Sequence, residues 1–369
     1  MENTYLFENS LTLDDESEIL TSCRTGEVSY GVNNFKFEDS FSRYLGCQKS
    51  LAFNSFFSAV QVALLANNLT GEIIIPGVCN PDIIGAVLSC GLKPIFIDVD
   101  LNSKMINKDI INKNITSKTS AVVVNYFGGN IPEMEPILEI CEKNKLILIE
   151  DCTEALGSSY KGKKVGTFGI GCFSFSMDSY LNLNNGAMLT TNSSILYDKI
   201  FDIVSDGFYK HKKSIKSIPY CLMSGFHALL GYQKMRRIST FLNRRQSIAK
   251  YFDSHTSEYN SLPYTCSGQN NGFDYYSYII PSSLMDFCFH MSSFGIKVGM
   301  KKESIYRRSK LIPKLPYSDW INEHTTYFPI HDKISNKLAS TIVNGFVDYF
   351  NNHFLNNKES SEYHDQFGL

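Results

Sequence analysis

Neither charge is in excess in this chain: 35 Lys and Arg stand against 37 Asp and Glu in 369 residues, a formal net charge of -2. A basic surface for nucleic acid is therefore not expected. The ten cysteines are scattered, and none forms a C-x-x-C pair. Metal-ligand spacing is thus missing, and no metal is expected. The thiols read as free, buried groups of a reducing compartment. No apolar run approaches the roughly 18 residues that a membrane span needs. The opening Met1-Glu-Asn-Thr-Tyr has no basic region followed by an apolar one, so no signal peptide is expected. Internal repeats and low-complexity segments are absent. These absences leave a soluble, cytoplasmic chain with neither membrane nor nucleic acid as partner.

With 43% hydrophobic residues the chain can bury a large core, and its length favours two or three domains. Short apolar runs alternate with helical spacing. Ile73–Ile75, Ile95–Ile97, Ala121–Val124 and Leu146–Ile149 read as strands. Between them, Ser58 to Ala66 (Ser58 as N-cap), Pro81 to Cys90 and Met134 to Lys145 read as helices. Strands that are apolar throughout belong in a mainly parallel sheet covered by helices on both faces. Ligands of such sheets bind at the carboxyl ends of the strands, here just after Ile75, Val124, Ile149 and Phe175. Leu230 to Tyr251 has apolar residues at helical spacing and reads as one long helix bridging to a second domain. Beyond it, Tyr276 to Pro281 and Ile296 to Met300 read as strands and Lys333 to Phe350 as a closing helix; the polar end, 356–369, reads as a frayed tail.

A series of motifs runs in order through the chain: Phe41-Ser-Arg-Tyr-Leu-Gly46, Asn54-Ser-Phe-Phe-Ser-Ala-Val60, Ile75-Pro76, Gly91-Leu-Lys-Pro-Ile-Phe-Ile-Asp-Val-Asp100, Tyr126-Phe-Gly128, Ile149-Glu-Asp-Cys-Thr-Glu-Ala-Leu-Gly157, Cys172-Phe-Ser-Phe175 and Phe328-Pro-Ile-His331. In this order they resemble the DegT/DnrJ family of nucleotide-sugar aminotransferases, which depend on pyridoxal phosphate (PLP). The resemblance spans roughly Gly31 to Phe350. It implies the fold-type I PLP-transferase architecture, with a large domain over 1–245, a small C-terminal α+β domain over 246–355 and the tail 356–369. It also implies a nucleotide-sugar as substrate, a role in surface-polysaccharide biosynthesis, and a dimer with sites at the interface.

The resemblance sets requirements residue by residue. A PLP aminotransferase needs a lysine for the Schiff base and proton transfer, a carboxylate facing the pyridine nitrogen, and a cradle of hydroxyls and backbone N–H groups for the phosphate. Asp151 matches the family's pyridine-facing Asp. Glu154 stands where the family has Gln or His near the ring, and Ser174 keeps a phosphate-type hydroxyl. Ser179 takes the place of the lysine, and no lysine occurs between Lys164 and Lys199. Serine cannot form an imine. Phe56-Phe57 replace the family's Gly-Thr, and their rings are expected to fill the cradle; Tyr220 and Leu222 replace its Asn and Arg, and Asn80 its stacking aromatic. Loss of the lysine alone would point to the family's dehydratase branch, which replaces it by histidine and still uses PLP. Loss of the cradle as well leads to the expectation of no bound cofactor. The resulting picture is a chain unable to transaminate by itself, paired with itself or with a lysine-containing relative. Two alternatives stand beside it: a non-catalytic subunit that completes an active relative, and a PLP-independent enzyme reusing the cleft.

Overall fold

The computed structural model describes residues 11–353 except 101, 178, 206–219, 260–266, 274–275, 281–282, 301–305 and 307–310. The tail expected at 356–369 lies outside the described residues. The strands are β1 (Lys49–Phe53), β2 (Glu72–Pro76), β3 (Lys93–Ile97), β4 (Thr119–Asn125), β5 (Ile147–Asp151), β6 (Ser159–Tyr160), β7 (Lys163–Lys164), β8 (Ile170–Ser174), β9 (Ala187–Thr191), β10 (Gln269–Asn270), β11 (Tyr276–Ile279), β12 (Gly299–Met300) and β13 (Thr325–Phe328). The helices are α1 (Leu13–Thr25), α2 (Val32–Leu45), α3 (Phe56–Ala66), α4 (Pro81–Ser89), α5 (Lys108–Asn114), α6 (Met134–Asn144), α7 (Ser194–Ser205), α8 (Gly225–Met235), α9 (Ile238–Thr256), α10 (Leu284–Ser293), α11 (Pro316–His324) and α12 (Asn336–His353).

A seven-stranded sheet in the order β1-β9-β8-β5-β4-β2-β3 forms the centre. Its strands are parallel apart from β9, which pairs antiparallel with both β8 and β1. Side chains alternate across each strand. Ile74, Val122, Val124, Leu148 and Phe173 enter one core with α2, α5, α6 and α8. Ile73, Ile75, Ala121, Val123, Ile149 and Cys172 enter the opposite core with α3, α4 and α7. The expected α/β architecture, mainly parallel with helices on both faces, is what the chain adopts.

Further along, β11, β13 and β12 form a three-stranded antiparallel sheet. It shares a separate core with α10, α12 and the second half of α9, built around Phe252, Tyr278, Phe287, Phe328 and Phe346. The strand read over Ile296 to Met300 shrinks to Gly299–Met300. The single helix read over Leu230 to Tyr251 is two helices, α8 and α9, with the break at Arg236 and Arg237. The apolar spacing survives the break because both helices bury the same side: Met235, Ile238 and Leu242 share one core.

A contact between distant parts of the chain covers the end of β3. The Asp98 carboxylate accepts the Tyr317 and Ser318 backbone N–H groups at 3.0 and 2.7 Å and the Ser318 hydroxyl at 2.6 Å. It thereby caps the N-terminus of α11, where donors are otherwise orphaned. Gly77, just past β2, lets α11 come close: a Cβ there would stand 2.5 Å from Leu315 Cδ1.

Candidate cofactor and active site

The carboxyl ends of β4, β5 and β8 and the N-termini of α3 and α4 meet on one side of the sheet. Alternation puts Asn125, Asp151 and Ser174 on the face that carries Val123, Ile149 and Cys172. Asn125 and Asp151 are directly paired across β4 and β5. Asp151 is 3% exposed. Its Oδ2 accepts the Asn80 N–H at 3.1 Å, and its Oδ1 accepts the Thr153 N–H at 3.2 Å and the Thr153 hydroxyl at 2.7 Å. The neighbouring Glu150 points to the opposite face, where it accepts from the Tyr126 hydroxyl and from the Gly166 and Gly169 amides. Burial raises its pKa, with those donors working against the rise. Glu150 is thus a structural tie, and Asp151 is the carboxylate at the cleft.

The two helix starts are built locally. Asn80 caps α4 through its Oδ1, which accepts the Asp82 N–H at 3.0 Å, and Pro81 occupies the first helical position. Ser55, not Ser58, caps α3, accepting the Ser58 N–H at 3.2 Å. That leaves the Phe56 and Phe57 amides at the head of α3 without an acceptor among the described residues. Their rings do not fill the cleft, contrary to the sequence expectation. Phe56 is buried in the core beneath α3, and Phe57 packs against α4 so closely that a Cβ at Gly85 would stand 3.2 Å from its ring. Side-chain direction on the first helical turn, not residue size, decides what the cradle loses. Leu222 likewise turns inward: it bridges to Phe53 and is buried, while Tyr220 stays exposed.

The other expected positions are placed as follows. Ser174 Oγ lies 3.1 Å from Ser176 Oγ and accepts the Ser176 N–H at 3.3 Å. Glu154 Oε2 accepts the Gly128 N–H at 2.8 Å, where the chain turns with φ 58°. Ser179 is 3% exposed; its Oγ donates to Ser176 O at 2.8 Å and accepts the Asn182 N–H at 3.2 Å. Its hydroxyl therefore belongs to the turn. Asn182 and Asn184 take up positive φ there, 41° and 66°, a conformation asparagine tolerates.

Several residues at this place were not singled out by sequence. Asn125 is 5% exposed, and its Oδ1 has no partner among the described residues. Asn54 Oδ1, at the entry to α3, is also buried without one. Asp82 lies at the head of α4. Lys234, on α8, sends its Nζ to Leu181 O at 2.6 Å and Asn182 O at 2.9 Å, holding the turn that follows Ser179. The only available signals were the end of an apolar strand for Asn125 and a lysine inside an otherwise buried helical face for Lys234. Among the described residues no group of three or more His, Cys, Asp or Glu could hold a metal ion. No described helix is long and apolar enough to cross a membrane.

The mixed sheet in this strand order, with an aspartate closing β5 beside two helix N-termini, is the fold that solved aminotransferase structures share with this chain. The sequence model of the DegT/DnrJ/EryC1/StrS aminotransferase family matches residues 10–347, and the chain belongs to that family. A GDP-perosamine synthase of Vibrio cholerae is 27% identical over 342 residues, 90% of this chain and 91% of that protein. A putative sugar aminotransferase of Streptococcus pneumoniae, solved in its PMP form, superposes with a TM-score of 0.84 at 19% identity, covering 93% of this chain and 96% of that one. DesV of S. venezuelae, solved in complex with a ketimine intermediate, gives a TM-score of 0.84 at 18% identity over 91% and 94% of the two chains. These findings overturn the expectation of no cofactor. The family is one of aminotransferases, and these two neighbours carry the PLP chemistry in their crystals. One part of the physical argument behind that expectation changes as well, because the Phe56 and Phe57 rings pack among the helices.

Proposed function

We propose that the chain binds PLP or its amine form, pyridoxamine phosphate, without a covalent link, and acts in the metabolism of nucleotide-linked sugars without completing an amino transfer by itself. The reading is supported by Ser179, which is buried and engaged in its turn, at the position that the sequence resemblance gives to the family lysine. The donors and acceptors of the cleft suit the cofactor. Asp151 would hold the proton on the pyridine nitrogen, and Asn125 Oδ1 offers a buried acceptor beside it. The Phe56 and Phe57 amides and the Ser174 hydroxyl would hold the phosphate, which suits a helix N-terminus. Glu154 braces the Gly128 turn at the edge of the cleft.

When bound, the cofactor supplies an electron sink for carbanion chemistry. The chain's own residues do less than those of a complete aminotransferase. Ser179 offers no amine for attachment, and its hydroxyl proton is donated to Ser176 O, so it is no base near neutral pH. A lysine-containing relative in the same assembly would restore both functions. Exposed apolar side chains on the first helices, among them Leu13 at 82%, Leu20 at 57% and Phe35 at 54%, support pairing with such a relative or with a second copy.

Borohydride reduction followed by intact mass tests the reading. After incubation with PLP, removal of the free cofactor and reduction, the mass should be unchanged, while calorimetry with pyridoxamine phosphate should register binding. A pyridoxyl adduct on any lysine of the folded chain would refute the non-covalent reading.

A further inference from the structure

Asn125 closes β4 with an amide that the fold leaves unsatisfied. The residue is 5% exposed, and neither its Oδ1 nor its Nδ2 has a hydrogen-bond partner among the described residues. Leaving a buried amide unmet is costly, and native folds do so rarely. Its neighbours on this face of the sheet are unlike one another. Asp151 on β5 is its partner in register, and Cys172 on β8 is in turn the partner of Asp151. The strand order β8-β5-β4 therefore sets Asp151 between a buried thiol on one side and the Asn125 amide on the other.

We propose that Asn125 recognises the ring hydroxyl of the cofactor and makes the cleft specific for hydroxypyridine ligands over pyridines that lack the hydroxyl. The inference rests on the cofactor reading given above and adds to it the group that the amide takes. In pyridoxamine phosphate the ring hydroxyl and the phosphate arm stand on opposite sides of the line from the ring nitrogen to the reactive carbon. The phosphate donors named above lie to the β8 side of Asp151: Ser174 ends β8, and α3 lies over β1, β9 and β8. With the nitrogen at Asp151 and the arm toward β8, the hydroxyl faces β4. Adjacent strands are roughly 4.8 Å apart, and a ring held by its nitrogen carries its hydroxyl across most of that step. The amide offers an acceptor and a donor, and a hydroxyl is both, so the match holds whichever way the amide is turned. Glu154 stands beyond the same strand ends, where its Oε2 accepts the Gly128 N–H at 2.8 Å. A ring without the hydroxyl leaves the amide buried and unmet, which is how a site built for a hydroxyl rejects the analogue lacking it.

The test uses the full chain, pyridoxamine phosphate, and an analogue with hydrogen in place of the ring hydroxyl, each titrated by calorimetry. The parent should bind pyridoxamine phosphate on the order of tenfold more tightly than the analogue. Asn125→Ala should bind the two within about twofold of each other. Asn125→Val, whose branched side chain suits a strand, should do the same and serves if the alanine variant folds poorly. The ratio of the two affinities carries the role. An equal loss for both ligands would mark a merely structural residue and overturn the inference. So would a parent that binds both alike, or a preference that persists in the variants. Each of these outcomes leaves the cofactor reading intact. A parent chain that ignores pyridoxamine phosphate would overturn both.

Discussion

Replacing Lys234 by methionine measures how much the turn after Ser179 owes to a cation arriving from α8. Lys234 is 4% exposed, and its Nζ donates to two backbone carbonyls at 2.6 and 2.9 Å. Burial pushes its pKa down to about 8, with Asp332 and Asp15 acting upward and Arg237 and Arg245 downward. Keeping the ammonium charged in that setting costs on the order of 3 kcal/mol. Two charge-assisted hydrogen bonds return roughly 1.5–3 kcal/mol each. The lysine is thus neutral to stabilising by up to about 3 kcal/mol. Methionine fills similar space but leaves both carbonyls without a donor, at roughly 1–3 kcal/mol each. The expected loss is about 2–6 kcal/mol at pH 7. The pH dependence follows from the lowered pKa: between about pH 8 and 10 the unfolded chain holds more protons at this site, so the site's contribution to stability rises with pH. A neutral amine still has N–H groups for both carbonyls, and the methionine variant lacks the rise. Urea unfolding at pH 7 and 9.5, with hydrogen exchange over residues 179–184, reads both effects. A variant within about 0.5 kcal/mol of the parent, with unchanged exchange in that turn, would refute the reasoning.

Glu38, buried on α2 with Oε1 accepting the Ala52 N–H at 2.9 Å, has its pKa raised to about 8 by burial. The folded chain therefore holds the extra proton between about pH 4.5 and 8, and stability falls as pH rises through that window. Glu38→Gln should flatten this slope, removing roughly 4 kcal/mol of pH dependence between pH 5 and 9 in denaturant melts. For assembly, sedimentation at micromolar concentration should give a dimer, and Phe35→Glu on the exposed face of α2 should shift it toward monomer. A parent that sediments as a monomer and captures no lysine-containing relative would remove the pairing proposal.

The sheet and its helices were legible because burial on both faces writes strands as short apolar runs, as in Ala121–Val124. The aspartate at the end of β5 was legible for the same reason, since a carboxylate closing an apolar strand has few other places to go. What the sequence hid is direction and register. Phe56 and Phe57 look obstructive when written out, yet the first turn of α3 sends both rings into helix packing. Asn125 gains meaning only once β4 and β5 are paired and its neighbour is Asp151. Lys234 lies 55 positions after the serine whose turn it holds (234 minus 179), and no local pattern joins them. The break between α8 and α9 was invisible because apolar spacing continues across Arg236 and Arg237.

The bond between Asp98 and the head of α11 spans 220 positions of chain. At a synthesis rate of about 5–20 residues per second, the carboxylate is made roughly ten to forty seconds before its partner. Throughout that interval β3 is an edge strand whose end lacks the helix that will cover it, and open strand edges invite pairing with foreign chains. Closure of this contact is a late event in the life of each molecule. The newborn chain therefore passes through a period in which the end of β3 is uncovered, when a chaperone has most to protect.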